Sequence, residues 1–482
     1  MILERHHATQ PNLVVRGWRG ALAALRRQPA EAWVVAGVVT ALYTIFSVTQ
    51  WNRFDTPSWD LGIFTQLAKA YAGFDAPIVP IKGHGFNLLG DHFHPLLVIL
   101  GPVYALFPSG LTLLVFQNLL VGWSVLILTR LAVHHVGRVP GLFLGAAYGL
   151  SWGIQAAVAV QFHEVALALP LLALALEAYI EGRLRTAVVA GALLVFVKED
   201  MGLTVFAFGL VLAWRFRRRY QAGLGLAVWG LAWVVLSVKV ILPALNTGGT
   251  YDYSDRIDVD ALLANPVGTV ITMMTVVEKY ETLWLLCLAG GFLFLLSPLA
   301  AVLLPTLIWR FAAGNESYWG PDWHYNAVLM PILFAALIHA ILRARESRRG
   351  WLRSYSAAVV PVVSVVALML LPGQPLAALA KPETFQQSPR WDAAHRMMDE
   401  IPSGAAVESG VLLMPYLVPE TEVYWIGNEN PAPDYLVVDA EDWSWGPTRP
   451  ASAEQHAEET YPGENYTLVF DEAGYQLVKR ET

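Results

Sequence analysis

The sequence predicts a polytopic α-helical membrane protein of about eleven transmembrane helices, with a small α/β domain at its C-terminal end. Three observations predict it. Of 482 residues, 55% are hydrophobic and only 15% are charged, against about a quarter charged in an ordinary soluble domain. The deficit is uneven, because long apolar runs alternate with short charged clusters. Charge then returns after about residue 373, as it does where a polar appendage follows a membrane region. The expected organisation is a basic N-terminus over 1–29, a multi-span region over 30–372 with a long outer loop at 51–110, and a soluble domain over 373–482.

A span needs about 20 apolar residues. Apolar segments run near 31–50, 111–131, 140–160, 165–180, 186–198, 201–214, 221–243, 283–297, 299–313, 325–342 and 354–372. The run 95–107 is short and punctuated by Pro95, Pro102 and Pro108, so it reads as an interfacial or re-entrant helix. The basic first residues precede an apolar run long enough to stay as a helix, which argues for a retained anchor over a cleaved signal. The single cysteine, Cys287, cannot form an internal disulfide and reads as a small buried hydrophobe.

Orientation follows from Lys and Arg. With Arg5, Arg16, Arg19, Arg26 and Arg27 inside, the even-numbered spans bring Arg130 and Arg138, Arg183 and Arg185, Arg215 to Arg219, and Arg343 to Arg353 to that same side. This predicts a plasma-membrane protein with a cytoplasmic N-terminus and an extracytoplasmic C-terminal domain. The opposite face is chemically different. It receives Trp59-Asp60, Asp91-His92-Phe93-His94, His163-Glu164, Lys198-Glu199-Asp200, Asn315-Glu316 and Asp322-Trp323-His324-Tyr325, besides the acidic loop Asp252, Asp255, Asp258 and Asp260.

Beyond Leu371-Pro372-Gly373, a helix is expected over Pro389–Glu400 and short strands at Ala405–Ser409, Val423–Ile426 and Tyr435–Val438. Tyr466–Asp471 and Tyr475–Lys479 flank Glu-Ala-Gly and read as a terminal hairpin. A domain of roughly a hundred residues is large enough to stand alone; it reads as a lid or interaction module without chemistry of its own.

Asp60 opens Trp-Asp-Leu-Gly-Ile-Phe just after the first span. A carboxylate among apolar residues is partly desolvated, so its pKa should rise unless a cation or metal holds it charged. It could serve as a general base toward an acceptor hydroxyl, or as the N-cap of a helix over Leu61–Tyr71. Asp91, His92 and His94 form an Asp-His-x-His cluster, with His163, Glu164, His324 and Tyr325 on the same face. Imidazole and carboxylate suit a divalent cation, which Asp91, His94 and His163 could ligate, and suit phosphate and sugar hydroxyls equally. Lys198-Glu199-Asp200 interrupts an apolar run; ionisable groups there are costly and usually functional, although a helix end also permits snorkelling or mutual neutralisation. Arg310 and Lys239 sit toward the outer ends of their spans, where they could meet a lipid phosphate or simply snorkel. Trp309, Trp319 and Trp323 fit an interfacial aromatic belt. No Walker motif, GxGxxG or cysteine-based metal motif is present.

This layout resembles the GT-C superfamily of polyprenyl-phosphate-sugar-dependent glycosyltransferases. More closely, Trp59-Asp60-Leu61-Gly62-Ile63-Phe64, His92-Phe93-His94-Pro95, His163-Glu164 and Lys198-Glu199-Asp200 resemble the predicted membrane proteins called domain of unknown function 2079, over roughly 35–480. The resemblance implies inverting transfer of a sugar from a polyprenyl phosphate to an extracytoplasmic glycan, lipid or protein acceptor, without nucleic acid and with no certain cofactor. It matches Asp60 to the catalytic carboxylate of the first outer loop. The sequence departs from the usual adjacent acidic pair, since Trp59 and Leu61 flank Asp60; a second catalytic acid would be Asp91 or Glu164. Lys198 and Arg310 would hold the leaving phosphate. His92, His94, His163, Glu199, Asp200, His324 and Tyr325 complete the expected substrate site. Two other readings remain open at this point: a transporter or flippase of a lipid-linked saccharide, and a non-catalytic envelope-assembly protein.

Overall fold

A computed structural model of the chain describes residues 28–253, 274–445 and 449–481, together with Arg256, Ala264, Asn265, Val267, Gly268 and Ile271. The basic residues Arg5 to Arg27 and the acidic Asp255, Asp258 and Asp260 lie outside the described residues.

Every apolar segment read from the sequence contains helix. The main ones are α1 (Ala30–Asn52), α2 (Asp60–Ala72), α3 (Gly110–Val136), α4 (Arg138–Gly149), α5 (Trp152–Ala159), α6 (Ala168–Ile180), α7 (Leu184–Leu193), α8 (Met201–Arg215), α9 (Tyr220–Leu236), α10 (Val277–Ala289), α11 (Leu304–Ala312), α12 (Leu329–Arg345) and α13 (Gly350–Leu370). Six stretches among the described residues are long and apolar enough to cross a bilayer: Ala30–Asn52, Gly110–Val136, Arg138–Ala159, Arg217–Leu245, His324–Arg345 and Gly350–Gly373. Pro95–Leu106, Leu184–Phe196, Met201–Arg215 and Pro298–Ala312 are apolar but shorter. The segment expected as one span over 283–297 is instead broken. Gly291 and Phe292 both take positive φ, +54° and 55°, which ends α10 before the short turn Leu293–Leu296.

Small residues set the closest helix contacts. A Cβ on Gly202 of α8 would lie 2.6 Å from the Gly230 carbonyl oxygen of α9, and one on Gly230 would lie 2.5 Å from that of Gly202. The two backbones therefore touch. In a bilayer, where apolar side chains gain nothing by leaving lipid, such close packing is a main source of helix association. This seam fixes the start of α8, and Lys198-Glu199-Asp200 immediately precedes it.

The C-terminal region builds a five-stranded sheet of order β2-β1-β3-β5-β4 from β1 (Ala406–Ser409), β2 (Glu422–Trp425), β3 (Tyr435–Asp439), β4 (Tyr466–Glu472) and β5 (Tyr475–Arg480). β1 runs parallel to β2 and β3; β5 is antiparallel to β3 and β4. The central β3 is buried on both faces, which explains its unbroken Tyr-Leu-Val-Val run. Ala473 and Gly474 both take positive φ, 52° and 84°, as a two-residue turn with the twist of its strands requires. Helices α14 (Trp391–Asp399) and α15 (Ala453–Thr460) accompany the sheet; the sequence reading anticipated the first and not the second.

The sheet is not a free appendage. Tyr416 stacks on Trp51 at 3.9 Å and donates to the Trp51 carbonyl. Gln66 of α2 donates to the Val423 carbonyl at 3.0 Å and accepts from the Ile81 amide at 3.0 Å. Lys69 donates to the carbonyls of Val418 and Thr421. One continuous apolar core runs from the helices into the sheet, so α2, which begins at Asp60, is clamped from both sides.

Candidate active site

Both α6 and α8 start at one end of the bundle and run away from it, and α1, α7 and α12 meet their connections at that same end. Those connections enclose a cavity of about 880 Å³. Asp60, Asp91, His92, His94, His163, Glu164, Lys198, Glu199, Asp200, His324 and Tyr325 all line it. Connections far apart in sequence thus converge on one volume, as their shared chemistry led us to expect.

Asp60 is the first residue of α2, and the N-cap is Trp59 with no side-chain cap bond. Its side chain is free of the helix terminus and points to His163, with Oδ2 at 3.4 Å from Nε2. His163 Nδ1 faces the Gln161 carbonyl at 3.2 Å. Both ring nitrogens face acceptors, so only the imidazolium satisfies both. Burial opposes that charge, but Asp60 outweighs it and raises the His163 pKa. In return, burial would raise Asp60, yet His163 and more distant Lys198 draw it down to about 2. The sequence reading allowed for this outcome: a cation holds the carboxylate charged.

Two strained backbones present these rings. Gln161 has φ 73° and Trp323 φ 66°, a region that costs a non-glycine residue about 1–3 kcal/mol. Gln161 is held by its side chain to Asp55 O and by Gln117 to its own carbonyl. Beyond them, the His163 and His324 rings stack at 3.8 Å. His324 Nδ1 and His94 Nδ1 are buried without a hydrogen-bond partner among the described residues.

The remaining charges form linked pairs. Lys198 Nζ donates to Glu164 Oε1 at 2.6 Å; burial alone would raise Glu164, but Lys198 and the nearby imidazoles bring it to about 2. Glu199 accepts from the Phe93 amide at 3.0 Å and meets His92 Nδ1 at 2.7 Å. Burial opposes the charge of Glu199, but His92 overcomes it and brings the pKa to about 2. Asp200 is the exception. Burial, uncompensated by Lys198, pushes it up to about 6, and its Oδ1 has no partner among the described residues. Asp91 accepts from Tyr253 at 2.8 Å and pairs with Lys82 at 3.2 Å.

Arg310 is not in this cavity. It is fully buried and donates to Tyr318 O and Asn326 Oδ1 at 2.7 Å, and to Tyr325 O and Gly320 O at 3.3 Å. The expected phosphate ligand is thus occupied in holding the loop that presents His324. Lys239, by contrast, does line the cavity. Sequence reasoning missed Lys82, Arg256, Tyr251 and Tyr253, which also line it. Lys82 carried no distinctive signal, since Arg53 and Lys69 share the 51–110 loop with it.

A divalent ion does not fit Asp91, His94 and His163 as they stand. Asp91 is engaged by Lys82 and Tyr253, and His163 carries a proton toward Asp60. Among the described residues, the only set of three or more His, Cys or carboxylate residues whose ligand atoms all gather within 4.8 Å is His134, His135 and Glu181, at the far ends of α3 and α6.

The family model "Predicted membrane protein (DUF2079)" matches residues 51–477. No curated protein matches the chain. Among solved structures, ArnT from Cupriavidus metallidurans bound to undecaprenyl phosphate superposes with a TM-score of 0.51 at 13% identity, covering 93% of this chain and 98% of its own. The Archaeoglobus fulgidus oligosaccharyltransferase complex with zinc and sulfate gives a TM-score of 0.41 at 14% identity, over 91% of this chain and 72% of its own. The likeness to ArnT is one of fold, the GT-C-like fold.

Proposed function

From the premise that the chain belongs to the DUF2079 family of predicted membrane proteins and has a GT-C-like fold, we propose that it is a membrane glycosyltransferase. It moves a sugar from a polyprenyl phosphate to an acceptor hydroxyl outside the cytoplasm, through about eleven spans with the sheet domain on the same outer side. The observation that carries this is the Asp60–His163 pair on the wall of an 880 Å³ cavity. The fold neighbour crystallised with undecaprenyl phosphate supports the donor class.

The acceptor oxygen attacks the anomeric carbon as the bond from that carbon to the phosphate oxygen breaks. The bonding pair leaves with the phosphate, giving polyprenyl phosphate, and the hydroxyl proton passes to Asp60. The departing anion needs fixed positive charge. Lys198 supplies it, with Lys239 and Arg256 also on the cavity wall. His163 positions Asp60, while Glu164 and Glu199 hold Lys198 and His92 in place.

The test is Asp60→Asn in lipid nanodiscs supplied with polyprenyl-phosphate sugars. Loss of a general base typically costs about 10²–10⁴ in rate, with donor binding retained. In a deletion strain, the unused polyprenyl-phosphate sugar accumulates. Full turnover by the Asn variant overturns the assignment of Asp60. Saccharide transport without turnover by the unaltered protein would favour a flippase instead.

A further inference from the structure

A second concavity lies at the opposite end of the bundle. It measures about 670 Å³ and is lined by Arg183, Arg185, Arg215, Arg217, Arg218 and Arg219, floored by Leu184 and Phe216. Helices α6 and α8 each lead from the cavity end to this crevice. At 1.5 Å per residue, their 13 and 15 residues put the two sites about 20 Å apart.

The crevice holds no carboxylate, and the nearby ones are already taken. Glu177 binds Arg130 and Arg183, and Glu181 pairs with His135. Arg215 donates to the Ile180 carbonyl and lies over the Tyr179 ring. Arg217 lies over Trp214. Arg185, Arg218 and Arg219 are exposed and have no ion-pair partner among the described residues. Basic loops are expected on one membrane face in any such protein. A pocket fed by two loops, in which Arg183 alone of six arginines meets a carboxylate among the described residues, is a stronger feature, because concavity lets several guanidinium groups reach one anion.

The flanks indicate what kind of anion. Trp214, Tyr220, Leu224, Val189 and Leu193 are exposed on the adjoining helices. These are apolar surfaces suited to acyl chains, with aromatic side chains at headgroup level.

We propose that this crevice binds the phosphate headgroup of an anionic phospholipid of the adjacent leaflet, with the acyl chains along α7 and α9. Basic pockets between membrane helices recognise such headgroups. The proposal is independent of the transferase reading.

The test is native mass spectrometry and thermal melting of the full chain with cardiolipin, phosphatidylcholine, or inorganic pyrophosphate. The protein should retain cardiolipin and melt higher with it than with phosphatidylcholine. In the R185Q/R218Q/R219Q variant, that preference should fall on the order of a hundred-fold, at about five-fold per surface arginine. The variant should melt like the unaltered protein in phosphatidylcholine, and a R218E variant checks the effect of charge alone. An undiminished cardiolipin preference in the triple variant overturns the proposal. So does pyrophosphate stabilising the protein as well as cardiolipin does, which would make the ligand a soluble phosphate.

Discussion

Replacing Arg310 with Gln separates two roles that the sequence left open. A phosphate ligand, once removed, weakens donor binding and leaves the fold intact. A buried strut, once removed, loosens the fold. The structure supports the strut. Arg310 is fully buried and makes two hydrogen bonds of 2.7 Å and two of 3.3 Å, all to oxygens of Tyr318 to Asn326. Hydrogen bonds from a charged donor contribute about 1.5–3 kcal/mol each, and the longer pair contributes less. Losing the two short ones therefore costs about 3–6 kcal/mol. Relief from burying a cation without a carboxylate offsets part of that, leaving about 3 kcal/mol. The assay is the melting midpoint in detergent, read beside protease cleavage within 318–326 and donor binding. R310Q should melt well below the unaltered protein and be cut in that loop, with R310K in between. An R310Q protein that melts normally but no longer binds donor would refute the reasoning and restore the phosphate role.

Asp200, raised from 3.8 to about 6 by burial, holds a proton in the folded chain that the unfolded chain has lost between those values. Stability should therefore fall as pH rises through that window and level off above it, opposite in sign to Asp60, Glu164 and Glu199, whose contribution is lost as pH falls toward about 2. D200N should erase the first slope in a melting series; parallel curves for the two proteins would refute it. Gly202→Ala should destabilise, although Ala is better than Gly in an isolated helix by about 1 kcal/mol, because its Cβ meets the Gly230 carbonyl at 2.6 Å; a higher melting point would show that the seam is loose. Gln66→Ala removes two bonds that tie α2 to the sheet and to Ile81, at about 1–3 kcal/mol, and limited proteolysis should then release the sheet domain sooner.

Much of this was legible because lipid imposes simple rules. Most apolar runs became helices near their expected limits, 283–297 being the main exception, and the hairpin at Glu472–Tyr475 followed from one Ala-Gly pair. The convergence at one end was legible too, since His and carboxylate sat at consistent places between runs. What could not be read was who pairs with whom. Arg310 looked like a ligand because a cation near a span end normally seeks water or phosphate; only the folded loop supplies the carbonyls that satisfy it. Lys82 looked ordinary because its partner Asp91 is set by a turn, not by spacing. The break at Gly291-Phe292 was hidden inside continuous hydrophobicity, where two positive-φ residues leave no mark on an apolar run.

A pKa near 2 makes Asp60 a feeble base toward a free alcohol, which bears on what it is asked to do. The glycosyl transfer proposed above would pass through a carbon with oxocarbenium character. As the acceptor oxygen bonds to that carbon, it acquires positive charge and becomes strongly acidic, so even a weak base then takes its proton. Until that moment, the property of Asp60 that would serve the proposed reaction is its negative charge beside a developing cation. A higher pKa would sacrifice that charge in part of the population at working pH. His163 guarantees it, and its own proton is secured by Gln161 on the strained backbone that also aims the ring. The low pKa and the strain are thus two parts of one arrangement, which keeps Asp60 ionised, oriented and unencumbered by the helix it begins.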